Sequence, residues 1–319
     1  MNKTELKMNI IFLDAKTVGT PPNLDKLKEL GDITFYPSTR PDQTEGRIKN
    51  AEIVITNKVV LDKELISKYA GQLKMIAIAA TGMNNVDLEA AKKHGVTVKN
   101  VAGYATDSVA QSTFSMLFRL MQDLEFYDQF IKSGKYSKSE IFTNLDRPFH
   151  ELKGKRFGII GLGTIGQRVA EIAEVFGAEV VYYSTTGKNT EQPYKRLELE
   201  ELLRTSDVVS IHAPLNENTD NLITYDQIKK MKESAVLINT GRGRIVNEAD
   251  LAKALDEELI AGAALDVFEQ EPMSEGNPLL SLKNSSRLLM LPHITWSSVE
   301  ARTELIEGVY NNIREFLDG

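Results

Sequence analysis

Three side chains of different chemistry follow short apolar runs late in the chain. Arg242 sits between two glycines in "INTGRG", Glu271 follows "AGAALDVF" in "EQEP", and His293 stands in "LPHITW" beside the only tryptophan, Trp296. Hydride transfer to a 2-oxo acid calls for a fixed cation to hold the carboxylate and a proton donor for the carbonyl oxygen. It also calls for an anion that keeps that donor protonated. Arginine's planar fork can grip carboxylate and carbonyl oxygens together, and a carboxylate beside an imidazole stabilises the protonated ring. On that reading His293 gives a proton as hydride arrives and acts as the base in the reverse reaction. Taken alone, His293 reads more readily as a satisfied core histidine, and its company is what points to chemistry. Glu271, ahead of Pro272, has the alternative of ending an exposed turn, and Asp266 that of capping a helix.

Such groups work only if secondary structure brings them to one place. The first hundred residues alternate strand-like runs ("NIIFLD", "DITFYP", "AEIVIT", "LKMIAIAA", "VTVKNV") with helical patterns such as "NLDKLKEL" and "DKELISKYA". Strands alternating with helices imply parallel pairing through helical crossovers. A long helix is expected from Thr106, through Val109, Thr113, Met116, Leu117, Leu120, Met121 and Leu124, in a position to bridge two domains. Residues 134–153 show no period and read as an extended surface segment. A second alternating series follows in "RFGII", "AEVVYYS", "DVVSIHAP", "AVLINT", "AGAALDVF" and "RLLMLPHI", runs apolar enough for strands buried on both faces. An amphipathic pattern from Ser298 to Leu317 predicts a terminal helix. The fold class expected is α/β, with two doubly wound parallel-sheet halves and a boundary near residue 104. Ligands of open parallel sheets bind at the carboxyl ends of the strands, where Arg242, Asp266, Glu271 and His293 all fall. His94 lies at a helix end, where the helix dipole gives it a structural role, and His150 falls in the irregular segment. His212 follows a strand, with cofactor-facing and packing roles both open.

"GIIGLGTIGQRVAEIAEVFG" places Gly161, Gly163 and Gly166 between a strand and a helix. The first permits a tight turn, the second lets backbone approach a pyrophosphate, and the third lets helix pack on strand. Free amides near Thr164 and Ile165 then face the phosphates with the positive end of the dipole. The acidic residue expected about twenty positions on, to hold a ribose 2′-hydroxyl, is absent. Ser184, Thr185, Thr186, Gly187 and Lys188 stand there instead, and hydroxyls with a cation suit a 2′-phosphate. NADPH is therefore expected to be accepted and favoured, with a solvated loop lysine as the alternative reading of Lys188.

The chain has 319 residues, 42% of them hydrophobic and 26% charged, which suits two folded domains and excludes disordered and fibrous classes. A net charge of −7 provides no broad basic surface for nucleic acid or an anionic membrane. The absence of cysteine excludes disulfides, thiolate metal sites and cysteine nucleophiles, and no metal site is expected. "MNKTELKMN" lacks a signal-peptide core and no run is long enough to cross a bilayer, so a cytoplasmic location is expected.

The glycine loop with "SDVVSIHAPLNENT", "LINTGRGRIVNEADLAKAL", "AGAALDVFEQEP" and "LPHI" resembles the D-isomer-specific 2-hydroxyacid dehydrogenases. "ATGMNNVDLEAAKKHGVTVKNVAGYATDSVAQ" is similar to the glycerate dehydrogenase and hydroxypyruvate or glyoxylate reductase branch. The resemblance covers nearly the whole chain. It implies a Rossmann-type nucleotide domain (104–295) inserted in a flavodoxin-like substrate domain (1–103 with 296–319), and a homodimer built largely on the nucleotide domains. It makes Arg242 the substrate-binding arginine, Glu271 the partner carboxylate and His293 the acid and base, with backbone amides of Thr81, Gly82 and Met83 facing the substrate carboxylate. Asp266 would meet the nicotinamide amide. Thr106, Thr164, Ile165, His212, Pro214, Thr240, Gly241, Arg242 and His293 fall in cofactor-contacting segments. Two departures stand out: Ser184 at the usual acidic position, and "PHITW" in place of glycine after "PHI". Thr295 and Trp296 then either narrow the substrate end for a small 2-oxo acid or serve as packing. The activity implied is reversible NAD(P)H-dependent reduction of a small 2-oxo acid such as hydroxypyruvate or glyoxylate. The alternative is a nicotinamide-sensing, corepressor-like binding protein, since fold does not fix function.

Overall fold

The structure is a computed structural model that describes residues 8–188 and 191–319. Residues 1–7, read above as lacking a signal-peptide core, lie outside the described residues, as do 189–190. The chain divides into two compact units, Met1–Ala105 with Trp296–Gly319, and Thr106–Thr295.

The first unit holds β1 (Asn9–Phe12), β2 (Asp32–Phe35), α1 (Pro41–Ile48), β3 (Ile53–Thr56), α2 (Lys63–Tyr69), β4 (Met75–Ile78), α3 (Leu88–Lys93) and β5 (Thr97–Asn100). All strands pair in parallel, in the order β2-β1-β3-β4-β5, which is the flavodoxin-like order. Alternate strand residues serve two cores. Ile10, Phe12, Ile53, Ile55 and Met75 pack with Leu305, Ile306, Val309 and Ile313 of the C-terminal helix Val299–Asp318. Ile11, Leu13, Val54, Ile76 and Ile78 pack on the other face with Ile48, Ile66 and Ala90 of α1, α2 and α3. Burial on both faces explains why these strands read as unbroken apolar runs. Ser298 caps the terminal helix by accepting the Ala301 N–H at 3.1 Å. "NLDKLKEL" forms a 3-10 helix, Leu24–Glu29, rather than an α-helix; only Leu27 of it is buried, so packing favours no longer helix.

The second unit holds α4 (Thr106–Gln122), α5 (Leu124–Lys132), β6 (Arg156–Ile160), α6 (Thr164–Val175), β7 (Glu179–Tyr183), β8 (Lys195–Arg196), α7 (Leu199–Thr205), β9 (Val208–Ile211), α8 (Tyr225–Ile228), β10 (Val236–Asn239), α9 (Glu248–Asp256), β11 (Gly262–Leu265) and β12 (Leu288–Met290). Its strands are all parallel, ordered β12-β11-β10-β9-β6-β7-β8. The chain builds outward from β6 to β8 and then resumes at β9 on the other side, leaving a switch point between β6 and β9. The helix expected to bridge two domains lies wholly in this unit. It also stops before Leu124, because Asp123 adopts a left-handed backbone (φ 48°) that separates α4 from α5. Phe114 and Leu117 of α4 join Val169 and Ala170 of α6 against one sheet face, and Leu202, Leu251 and Leu255 of α7 and α9 cover the other. Residues 134–153 carry only a short 3-10 turn, Tyr136–Lys138.

Leu305 is fully buried against the first sheet. Leu305→Ala should lower unfolding free energy by about 2–5 kcal/mol, seen as an earlier midpoint in urea for the transition of the first unit. An unmoved midpoint would show that the terminal helix contributes nothing to that core.

Candidate active site

The strands of the second unit end in one row. Register pairs Tyr183 with Ile160, Ile160 with Ile211, Ile211 with Asn239, Asn239 with Leu265, and Leu265 with Met290. The residues that follow these strand ends therefore share one edge: Ser184, Gly161, His212, Thr240 to Arg242, Asp266 to Glu271, and Leu291 to His293.

At the β11 and β12 side, His293 Nδ1 lies 2.7 Å from Glu271 Oε2, and both side chains keep partial solvent contact. While Glu271 is ionised it can only accept, so Nδ1 carries the proton of this hydrogen bond. Glu271 Oε1 accepts the Phe268 N–H at 3.0 Å, which fixes the carboxylate plane. His293 reaches this position through a left-handed backbone (φ 54°), an uncommon state for a residue with a side chain. Asp266 holds the chain just beyond it. Oδ1 accepts the Ile294 N–H at 2.8 Å, and Oδ2 accepts the N–H and hydroxyl of Thr295. Burial pushes the Asp266 carboxyl above its usual range, against the opposing pull of those donors. Arg242 is exposed and extended, its Nη1 donating to the Gly241 carbonyl at 2.8 Å, while the Asn239 side chain donates to the Arg242 carbonyl at 2.9 Å.

The glycine loop fits a dinucleotide. Gly161 has a positive φ (90°), and a Cβ there would lie 2.8 Å from the Ala213 backbone across the switch point. A Cβ on Gly166 would meet the Gly161 carbonyl at 2.3 Å, so α6 packs tightly on the turn, whereas one on Gly163 would meet nothing within 4 Å. That open space lies at the N-terminus of α6, where the first amides, from Thr164 onward, have no carbonyl within the helix to bond. Thr106 opens α4, and Asp107 beside it pairs with Arg168 of α6 at 2.7 Å.

After β7, Ser184 is buried, Thr185 is half-buried and Lys188 is exposed. Arg196 of β8 stands beside this turn, its Nη1 3.4 Å from the Gly187 carbonyl. No sequence signal marks Arg196, because only the pairing of the two-residue β8 onto β7 carries it there. His212 bonds to Ser210 Oγ at 2.8 Å and Thr240 Oγ1 at 2.9 Å. The residue retains some exposure, but its ring is desolvated, which pushes its pKa from 6.5 down to about 3 and keeps it neutral. Pro214 is exposed and its carbonyl accepts the Thr219 hydroxyl at 2.7 Å.

In the first unit, Thr81, Gly82 and Met83 follow β4 at the carboxyl edge of that sheet. There Thr81 Oγ1 donates to the Val101 carbonyl at 3.1 Å. Trp296 packs against that unit's core and edge-on to Tyr104, with ring centroids 6.2 Å apart, which supports its reading as packing area. Among the described residues no group of three or more histidine, cysteine or carboxylate side chains is placed to hold a metal ion. No helix among them is long and apolar enough to cross a membrane.

Residues 114–295 match the model of the D-isomer-specific 2-hydroxyacid dehydrogenase NAD-binding domain. A hydroxypyruvate reductase of Blautia hydrogenotrophica is 36% identical over 98% of this chain and 98% of its own length. A glycerate dehydrogenase of Methylorubrum extorquens is 37% identical over 97% of this chain and 96% of its own. Among solved structures, an NADPH-dependent glyoxylate/hydroxypyruvate reductase of Sinorhizobium meliloti, in complex with NADP and malonate, superposes with a TM-score of 0.82. It shares 25% identity over 98% of this chain and 94% of that one. The chain belongs to the D-isomer-specific 2-hydroxyacid dehydrogenase family, and is an oxidoreductase that works with NAD(P)(H) on the CH–OH group of 2-hydroxy acids.

Proposed function

We propose that the protein reduces a small 2-oxo acid of the glyoxylate or hydroxypyruvate kind, with His293 as proton donor, Glu271 as its partner and Arg242 as the substrate clamp. The observation that carries this reading is the His293–Glu271 pair at 2.7 Å, on the same sheet edge as the glycine loop. A bound nicotinamide supplies the hydride. His293 delivers its proton to the carbonyl oxygen from Nε2, while Glu271 stabilises the ring before the proton leaves. Arg242, an exposed side chain on a loop whose flanking glycines are buried, grips the carboxylate and carbonyl oxygens. Thr81, Gly82 and Met83 supply backbone amides for the carboxylate. Asp266 Oδ1 accepts the Ile294 N–H and, with its second lone pair, can accept from the nicotinamide amide. His212, Thr240 and Pro214 line the cofactor edge, with neutral His212 adding no charge. The sensor alternative leaves the acid–base pair without a task.

NADPH is the better cofactor on this reading. Ser184 and Thr185 offer hydroxyls, and Lys188 and Arg196 offer charge, where a carboxylate would repel a 2′-phosphate. The working form is a homodimer in the cytoplasm. What supports the dimer is the apolar surface of residues 124–149: α5 buries none of its residues, and Phe142, Leu145 and Phe149 are 89%, 77% and 56% exposed. Apolar area on this scale marks a protein interface, and a second copy offers the same surface to it.

Three outcomes are expected. His293→Ala should lose about a hundred- to ten-thousandfold in turnover with NADPH affinity near normal, whereas His212→Asn should leave the pH limb of turnover in place; wild-type turnover in His293→Ala at neutral pH would reject the assignment. Steady-state kinetics should favour NADPH, and Arg196→Gln should lower the NADPH/NADH ratio of kcat/KM by about tenfold, the scale of one hydrogen bond to a charged group. A tenfold advantage for NADH in the wild type would overturn the preference. Phe142→Ser with Leu145→Ser should shift sedimentation from dimer to monomer; a dimer that persists would place the interface elsewhere.

A further inference from the structure

Glu248 is a carboxylate only 5% exposed that none of the roles above employs. It opens α9, with Asn247 as the N-cap, so its charge sits at the positive end of the helix dipole. Its two oxygens are taken by separate parts of one loop. Oε1 accepts the Glu269 N–H at 2.6 Å, and Oε2 accepts the Asn277 side-chain amide at 2.5 Å. Asn277 is itself buried and oriented, since its Oδ1 accepts the Leu279 N–H at 2.9 Å. The Glu248 N–H returns a long bond of 3.4 Å to Glu269 Oε1.

The peptide held in this way is also pressed from the other side. A Cβ on Gly243, the residue after Arg242, would fall 1.9 Å from the Phe268 carbonyl carbon and 2.0 Å from its oxygen. The backbone of the arginine loop therefore lies directly on the Phe268–Glu269 peptide. The N–H of Phe268 is the donor that fixes Glu271 Oε1, leaving Oε2 for His293. A continuous set of contacts thus runs from the first turn of α9, through the peptide clamped between Glu248 and Gly243, to the carboxylate that faces the imidazole.

We propose that Glu248 is a positioning residue for the reaction, holding the 268–271 loop so that Glu271 stays aligned on His293 while Arg242 keeps its place beside it. The proposal rests on the assignment of His293 and Glu271 as the acid–base pair. A carboxylate is needed because both bonds are accepted. An amide at this position can accept from Glu269 but turns an NH2 toward the NH2 of Asn277. Reversing the polarity of the partner restores a match: with Asn277→Asp, the introduced amide donates to a carboxylate that still accepts from Leu279.

The test is the pH profile of 2-oxo acid reduction, with NADPH affinity measured by fluorescence on the same proteins. Glu271→Gln should move the alkaline limb to lower pH, because the protonated imidazole has lost its anion. Glu248→Gln should move the limb in the same direction and lower turnover at neutral pH by about tenfold, as small misplacements do, with NADPH affinity within about twofold of wild type. Adding Asn277→Asp to Glu248→Gln should restore both. If Glu271→Gln moves the limb and Glu248→Gln does not, the positioning role is wrong and the acid–base pair stands. If Glu271→Gln itself leaves the limb unmoved, the pair is wrong and the positioning role fails with it. Should Glu248→Gln not fold, Asn277→Ser removes the donor to Oε2 while keeping an acceptor for Leu279, and it is read by the same criteria.

Discussion

The site depends on six parallel strands finishing in a common row. Neighbouring strands lie about 4.8 Å apart, so the residues after Tyr183, Ile160, Ile211, Asn239, Leu265 and Met290 are set out along one edge at fixed intervals. On the proposed function an extended dinucleotide runs along such an edge, with its phosphates at the glycine turn after β6 and its reactive ring toward β11 and β12. Local strain is accepted to complete the array. His293 sits in a left-handed backbone, and Asp266 over-determines that state by holding the next two residues.

Two histidines on this edge are given opposite characters by their surroundings. The His212 ring is desolvated and bonds to the hydroxyls of Ser210 and Thr240, so it stays neutral and contributes shape and hydrogen bonds. His293 has solvent contact and a carboxylate at hydrogen-bond distance. One residue type thus meets two environments on this edge, desolvation in one case and a charged partner in the other.

The sequence made the parallel strands and their shared edge legible because burial on both faces writes strands as unbroken apolar runs, and because glycines and reactive residues punctuate their ends. It was less informative where a feature depends on contacts between distant segments. Arg196 is an ordinary cation until β8 pairs with β7, and Glu248 reads as a routine first-turn acid until Glu269 and Asn277 are seen to bond it. Asp123 interrupted an otherwise regular helical pattern because aspartate tolerates the left-handed state without announcing it. Trp296 shows the converse: a conspicuous residue next to a reactive one, whose visible surroundings are a hydrophobic core and Tyr104.

The terminal helix has a consequence for how the chain comes to be folded. Leu305, Ile306, Val309 and Ile313 cover Phe12, Ile55 and Met75, yet the entire second unit lies between them in sequence. During synthesis, which proceeds from the amino terminus, one face of the first sheet must stay bare until the second unit has been made. The nucleotide-fold unit can therefore mature first, while the earlier-made sheet stays open to non-native partners until its last helix arrives.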